Sequence, residues 1–217
     1  MKTLSARLCP ARYNTQQRAT ELAPIIQQML DTATDERTWQ AFLNENPEPI
    51  GWRFALGISP ATLVRPQFRL GSDYVVDFMV IDTPQWTQVT LVELESPTVT
   101  AFKEDGKHAP KLVEAVSQTI NWKSWVRNNF STFKHEVLKA IMEVDSFGDY
   151  TALYRDRIIP CISAGDFHLV SAIVIGRRTE LHPSETNQHV TNFLRETQHS
   201  MIYSFDALAD PCIDRTK

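Results

Sequence analysis

The spacing of apolar and polar residues predicts helices alternating with strands along the chain. Apolar side chains recur every three to four residues in some stretches, and every second residue or throughout in shorter ones. The helical pattern covers residues 15–31, 35–46, 111–129, part of 131–156, and about 184–198. The strand pattern covers residues 61–70, 73–82, 88–95, 157–163, 168–175 and 201–205.

The order of these elements predicts an α/β or α+β fold with a mixed central sheet flanked by helices. Residues 47–60 are rich in proline and glycine and predict a loop, as does the polar segment 101–110. At 217 residues, the chain is most simply one domain. Within it, residues 1–34 form an N-terminal helical segment, and residues 35–217 form the main body.

Composition narrows the function classes only a little. Hydrophobic residues make up 42% of the chain and charged residues 22%, as in ordinary globular proteins. No apolar run reaches the ~18 residues that cross a bilayer, so we expect no membrane association. Cys9, Cys161 and Cys212 are odd in number and widely spaced, which predicts free thiols in the cytoplasm. The net charge of -4 requires any DNA-binding surface to be local or formed by oligomerisation.

Two predicted strands carry acidic residues among apolar ones. The stretch YVVDFMVID contains Asp77, and VTLVELESP contains Glu93 and Glu95. Because side chains alternate along a strand, Glu93 and Glu95 lie on one face. A hairpin centred on Gln85 would place Asp77 opposite Glu93, with Cβ atoms about 4.5–5.5 Å apart. The pattern therefore predicts a cluster of carboxylates.

A cation would stabilise this cluster, because two carboxylates at that separation repel each other. A hard divalent cation such as Mg²⁺ takes oxygen ligands and is common where the substrate is a phosphate. In the alternative interpretation, the acids lie on a solvated face of the sheet and have no ligand. The apolar neighbours of Asp77 count against this alternative, because both faces of that strand look buried.

These motifs resemble the D…(D/E)xK signature of PD-(D/E)XK phosphodiesterases, and more closely the nuclease domain of Shedu antiphage-defence proteins. The resemblance spans about residues 35–209. It implies a restriction-endonuclease-like core and makes residues 35–217 a nuclease-like domain. The segments that carry it are ERTWQAFLNENPEPIG (36–51), DFMVID (77–82), VELESP (92–97), LVEAVSQTINW (112–122), SAIVIGRR (171–178) and IYSFDAL (202–208).

The resemblance implies a role for four residues. Asp77 and Glu93 match the acids that bind Mg²⁺ or Mn²⁺. Gln118 matches the glutamine of a helical motif, here QTINW, and would hold a neighbouring phosphate or a ligand in place. Glu36 matches an acidic position on the N-terminal helix that helps to bind metal or to orient the site.

Glu95 departs from the family pattern, which has a lysine at this position. Glu95 would act as a third metal ligand or as the general base. Lys111 lies two helical turns before Gln118 and is the first candidate to replace the lysine. Lys107 and Lys123 are weaker candidates.

These observations predict a Mg²⁺-dependent nuclease that cuts DNA in defence against phage or mobile elements. The family's defence proteins are oligomeric, so a homo-oligomer is also expected. Two alternatives stay open: a catalytically inactive module of the same fold that binds nucleic acid or protein, and a hydrolase of small phosphate esters. Arg177 and Arg178, at the end of a predicted strand, either reach a DNA backbone or are simply solvated.

Overall fold

A computed structural model describes residues 4–10, 15–32, 35–55, 60–82, 86–103, 107–181 and 200–214. The described strands form one sheet in chain order. The first four strands are antiparallel, and the fourth, fifth and sixth are parallel. This mixed sheet confirms the predicted α/β class. The strands are β1 Arg7–Pro10, β2 Ala61–Leu70, β3 Tyr74–Asp82, β4 Gln88–Leu94, β5 His168–Val174 and β6 Ser200–Tyr203.

Helices cover both faces of the sheet, and no described helix is long and apolar enough to cross a membrane. The helix that follows Asp35 begins at a side-chain cap, where the Asp35 carboxylate accepts from the Thr38 N–H at 2.8 Å. The helices are α1 Thr15–Asp31, α2 Glu36–Glu45, α3 Glu48–Phe54, α4 Pro110–Asn128, α5 Phe130–Met142, α6 Thr151–Leu153, α7 Ile159–Ala164, α8 Arg178–Leu181 and α9 Asp206–Asp214, with a 3₁₀ turn at Gly148–Tyr150 and a π-helix at Tyr154–Ile158.

The hydrophobic core has two main layers and a smaller third one. On one face, α1, α2, α3 and α9 pack against the sheet around Trp39 and Phe205, whose rings lie 4.9 Å apart. On the other face, α4, α5 and the helical run through α7 pack around Trp122 and Tyr154. The third cluster joins the first half of α4 to β5 and β6 around Leu112. The site described below lies on the sheet between these layers.

Two predicted elements are wrong. The expected loop at 47–60 contains α3, whose prolines fall in its first turn, where a missing N–H costs nothing. The expected strand at 157–163 is helical, because Ile158 and Ile162 recur at helical spacing and are both buried. Strand β1 was not predicted. The predicted helix at 184–198 lies outside the described residues.

Candidate functional site

The β3–β4 hairpin has the register that a turn centred on Gln85 requires. The paired residues run up to Phe78 opposite Val92, and there the backbone pairing ends. At the next position the Asp77 side chain takes the place of a backbone acceptor: its Oδ2 accepts from the Leu94 N–H at 2.8 Å. The hairpin thus fixes the Asp77 carboxylate against β4 beside Glu93, as predicted.

Gln67 is a further polar contact of Asp77, and it was not anticipated from the sequence. Its neighbours on β2 pair with those of Asp77 on β3, so the two residues lie opposite each other. Gln67 has φ 48, in the left-handed region that non-glycine residues seldom adopt. Its Nε2 donates to Asp77 Oδ1 at 3.4 Å. The side-chain alternation of β3 is interrupted at Asp77. Val76 and Phe78 are two residues apart and would share one face of a regular strand, yet they pack in different core clusters.

Glu93 is the most strongly perturbed of the acids. It is 8% exposed, and burial, followed by the charges of Asp77 and Glu95, raises its pKa to about 9. Burial also raises the pKa of Asp77, against the opposing effect of the hydrogen bond from Leu94. Glu93 and Asp77 therefore compete for a proton at neutral pH unless a cation is bound.

Glu95 is buried as well, yet it has a cationic neighbour. Burial raises its pKa to about 7, and the nearby Lys111 opposes this rise. Lys111 Nζ lies 3.8 Å from Glu95 Oε2 and 3.0 Å from Glu114 Oε2. The charge of Glu36 raises the pKa of Asp77, Glu93 and Glu95 alike. The first turns of α2 and α4, which carry Glu36 and Lys111, therefore both approach the end of β4.

Gln118 lies on the half-buried side of α4. Ala115 and Trp122, on the same side of the helix at i−3 and i+4, are buried against the sheet in different clusters. Gln118 therefore lies on the side of α4 that faces the sheet, between residues of these two clusters. Its role in holding a phosphate or a ligand stays a prediction.

The residues fit a divalent cation held by few protein ligands. Asp77, Glu93, Glu95 and Glu36 interact with one another, and Lys111 is the single cation acting on them in the pKa shifts described above. Among the described residues, no three His, Cys, Asp or Glu side chains are grouped so as to hold a metal ion by themselves. Mg²⁺ typically uses one or two carboxylates and completes its shell with water and substrate phosphate. Asp77 and Glu93 fit that pattern, with Glu95 next to them.

Other predicted cations take different partners. Lys123 Nζ donates to Ser200 Oγ at 3.1 Å, and burial lowers its pKa to about 8. Arg177 does not extend toward a nucleic acid: its guanidinium donates to both carboxylate oxygens of Asp206 at 2.9–3.2 Å and to the Leu30 carbonyl at 2.6 Å. Arg177 therefore joins the segment that follows β5 to α9 and α1.

The fold and site together define an α/β protein with a buried carboxylate cluster on a sheet hairpin. The family model described as "Shedu protein SduA, C-terminal" matches residues 33–209. The chain therefore belongs to the Shedu SduA C-terminal family, and this membership associates it with antiphage defence. No curated protein matches the chain.

Proposed function

We propose that the chain is a Mg²⁺-dependent nuclease with a PD-(D/E)XK core that hydrolyses phosphodiester bonds of DNA. The observation that carries the proposal is the position of Asp77, half-buried, and Glu93, buried, at the end of the β3–β4 ladder, both with raised pKa values. Perturbed carboxylates of this kind cluster at functional sites. Membership in an antiphage-defence family supports DNA as the substrate.

Each acidic residue has a distinct task in this proposal. Asp77 and Glu93 hold the cation, and the hydrogen bonds from Leu94 and Gln67 fix the Asp77 carboxylate in place. Bound Mg²⁺ would polarise the phosphate and lower the pKa of the attacking water. Glu95, with a pKa of about 7, accepts a proton at neutral pH.

The remaining polar residues adjust charge around the reacting phosphate. Lys111 opposes the rise in the pKa of Glu95 and would supply the positive charge that the missing family lysine provides. Gln118 donates to a neighbouring phosphate oxygen from α4. Glu36 adds negative charge that strengthens cation binding.

Incubation of the protein with plasmid DNA and Mg²⁺ or Mn²⁺ tests the proposal. We expect cleavage by the unmodified protein and its loss in Asp77→Asn and Glu93→Gln. These substitutions remove charge while keeping shape. Asp149→Asn, at an exposed carboxylate in the 3₁₀ turn, is the matched control. Cleavage that persists in both site variants would contradict the assignment.

A second candidate function is a module that binds nucleic acid or protein without cutting it. The observation that favours it is Glu95 at the lysine position, with Lys111 already engaged by Glu95 and Glu114. Calorimetric titration with Mg²⁺, alongside a DNA-binding assay, separates the two functions. DNA binding without detectable Mg²⁺ binding would favour the module over the nuclease.

A further inference from the structure

A cavity of about 300 Å³ opens at the sheet edge beside β6, apart from the carboxylate cluster. It lies where the end of α3, the end of β6, α8 and the start of α9 meet. Its charged lining consists of Arg53, Arg178 and Asp210, which leaves a net charge of +1. Tyr203 and Leu181 supply an aromatic and an apolar wall. The cavity thus combines cationic donors with a flat apolar surface.

Arg53 is the unusual member of this lining. Its guanidinium carbon lies 4.4 Å from the centroid of the Tyr203 ring. In the described part of the chain, Arg53 makes no ion pair, and its buried Nε has no hydrogen-bond partner. A buried cationic donor without an acceptor is costly. An anionic oxygen in the cavity would satisfy it.

Arg178 lies on the other side of the cavity and is held there by Asp210. Its Nη2 donates to Asp210 Oδ2 at 2.5 Å, while 54% of its side chain stays exposed. A guanidinium presents five donors, so this one bond leaves others for a ligand. Two guanidinium groups facing one space suit a phosphate, which arginine binds bidentately. The Tyr203 ring beside them suits the base or sugar attached to that phosphate.

The cavity also lies level with the proposed active site. Leu94 on β4 pairs with Val174 on β5, and Val174 pairs with Tyr203 on β6. Two strand spacings of about 4.8 Å put the cavity about 10 Å from the end of β4. One DNA strand could therefore reach both places.

We propose that Arg53 and Arg178 bind a backbone phosphate of the DNA near the one that is cut. This proposal rests on the proposed nuclease function for its choice of ligand. A free nucleotide or inorganic phosphate offers the same chemistry, so the experiment must separate these sources.

Binding of a fluorescein-labelled DNA duplex, measured by anisotropy in EDTA, tests the proposal without cleavage. We expect Arg53→Met to weaken binding about tenfold, and to reduce the slope of log affinity against log salt by about 0.9. Arg155→Met, at an exposed arginine paired with Asp156, is the matched control and should bind like the unmodified protein. If Arg53→Met does not fold, Arg178→Met takes its place, because that side chain is more than half exposed.

Unchanged DNA binding by the folded Arg53 and Arg178 variants would overturn the proposal. Calorimetric titration with dAMP and with inorganic phosphate tests the two alternative ligands. If the variants lose affinity for these ligands but not for the duplex, the cavity is a free-nucleotide or phosphate site. The outcome is independent of the nuclease assignment. Asp77→Asn should abolish cleavage while leaving duplex binding in EDTA intact, so the two proposals fail separately.

Discussion

Replacing Glu93 by glutamine should stabilise the metal-free protein at alkaline pH. The folded carboxyl holds its proton more tightly than the unfolded one, because burial and the neighbouring acids raise its pKa from 4.5 to about 9. Raising the pH above about 4.5 therefore removes protons from the unfolded state first and lowers the free energy of unfolding. Glutamine keeps the shape of the side chain and removes this penalty.

The size of the effect follows from the same pKa. Each pKa unit by which the folded value exceeds the unfolded one corresponds to about 1.4 kcal/mol. If only half of the rise in the pKa of Glu93 is effective at pH 8, the gain in the free energy of unfolding is about 3 kcal/mol. For a chain of this length, that corresponds to an increase in melting temperature on the order of 6–12 °C. The gain should vanish near pH 4, where the carboxyl is protonated in both states.

Urea denaturation in EDTA at pH 4, 6 and 8, followed by tryptophan fluorescence, measures this effect. Asp149→Asn, at an exposed carboxylate in the 3₁₀ turn at Gly148–Tyr150, is the control and should leave the free energy of unfolding unchanged. Adding Mg²⁺ at pH 8 should stabilise the unmodified protein more than Glu93→Gln, because the ion binds only the folded carboxylates. Equal stabilities at pH 8, or a gain of the same size at pH 4, would refute the reasoning.

Three further substitutions probe the site and its scaffold. Glu95→Gln removes the proposed proton acceptor and should slow plasmid cleavage in Mg²⁺ about a hundredfold; an unchanged rate would argue against that role. Arg177→Met breaks the paired bonds to Asp206 and should lower the free energy of unfolding by about 2 kcal/mol in urea. Gly71→Ala should cost about 2 kcal/mol in the same assay, since Gly71 has φ +59 and a Cβ there would lie 2.8 Å from an indole ring.

The central part of the site could be predicted because it depends on local pairing. Consecutive strands joined by a short turn fix their own register, so Asp77 and Glu93 met as expected. Glu36 was instead predicted from the family resemblance, and Lys111 from its helical spacing to Gln118. Their approach to the end of β4 depends on how α2 and α4 pack on opposite faces of the sheet, and no local pattern encodes that packing.

Other features were hidden from sequence reasoning for physical reasons. Gln67 is neither glycine nor asparagine, so nothing marked it as left-handed. The run of β-branched residues at 157–163 has strand propensity, but burial of Ile158 and Ile162 on one helical stripe overrides it. The arginine cavity joins residues from four elements that are distant along the chain, so it exists only in the folded protein.

The hydrogen bond from Leu94 to Asp77 makes one backbone amide a spectroscopic reporter. The chemical shift of an amide proton that is donated to a carboxylate moves when the carboxylate gains a proton or a cation. In an NMR titration, the Leu94 resonance should therefore follow the ionisation of Asp77 as pH changes, and should move again when Mg²⁺ is added. The site can thus be observed in the resting protein, with no DNA present and no residue altered.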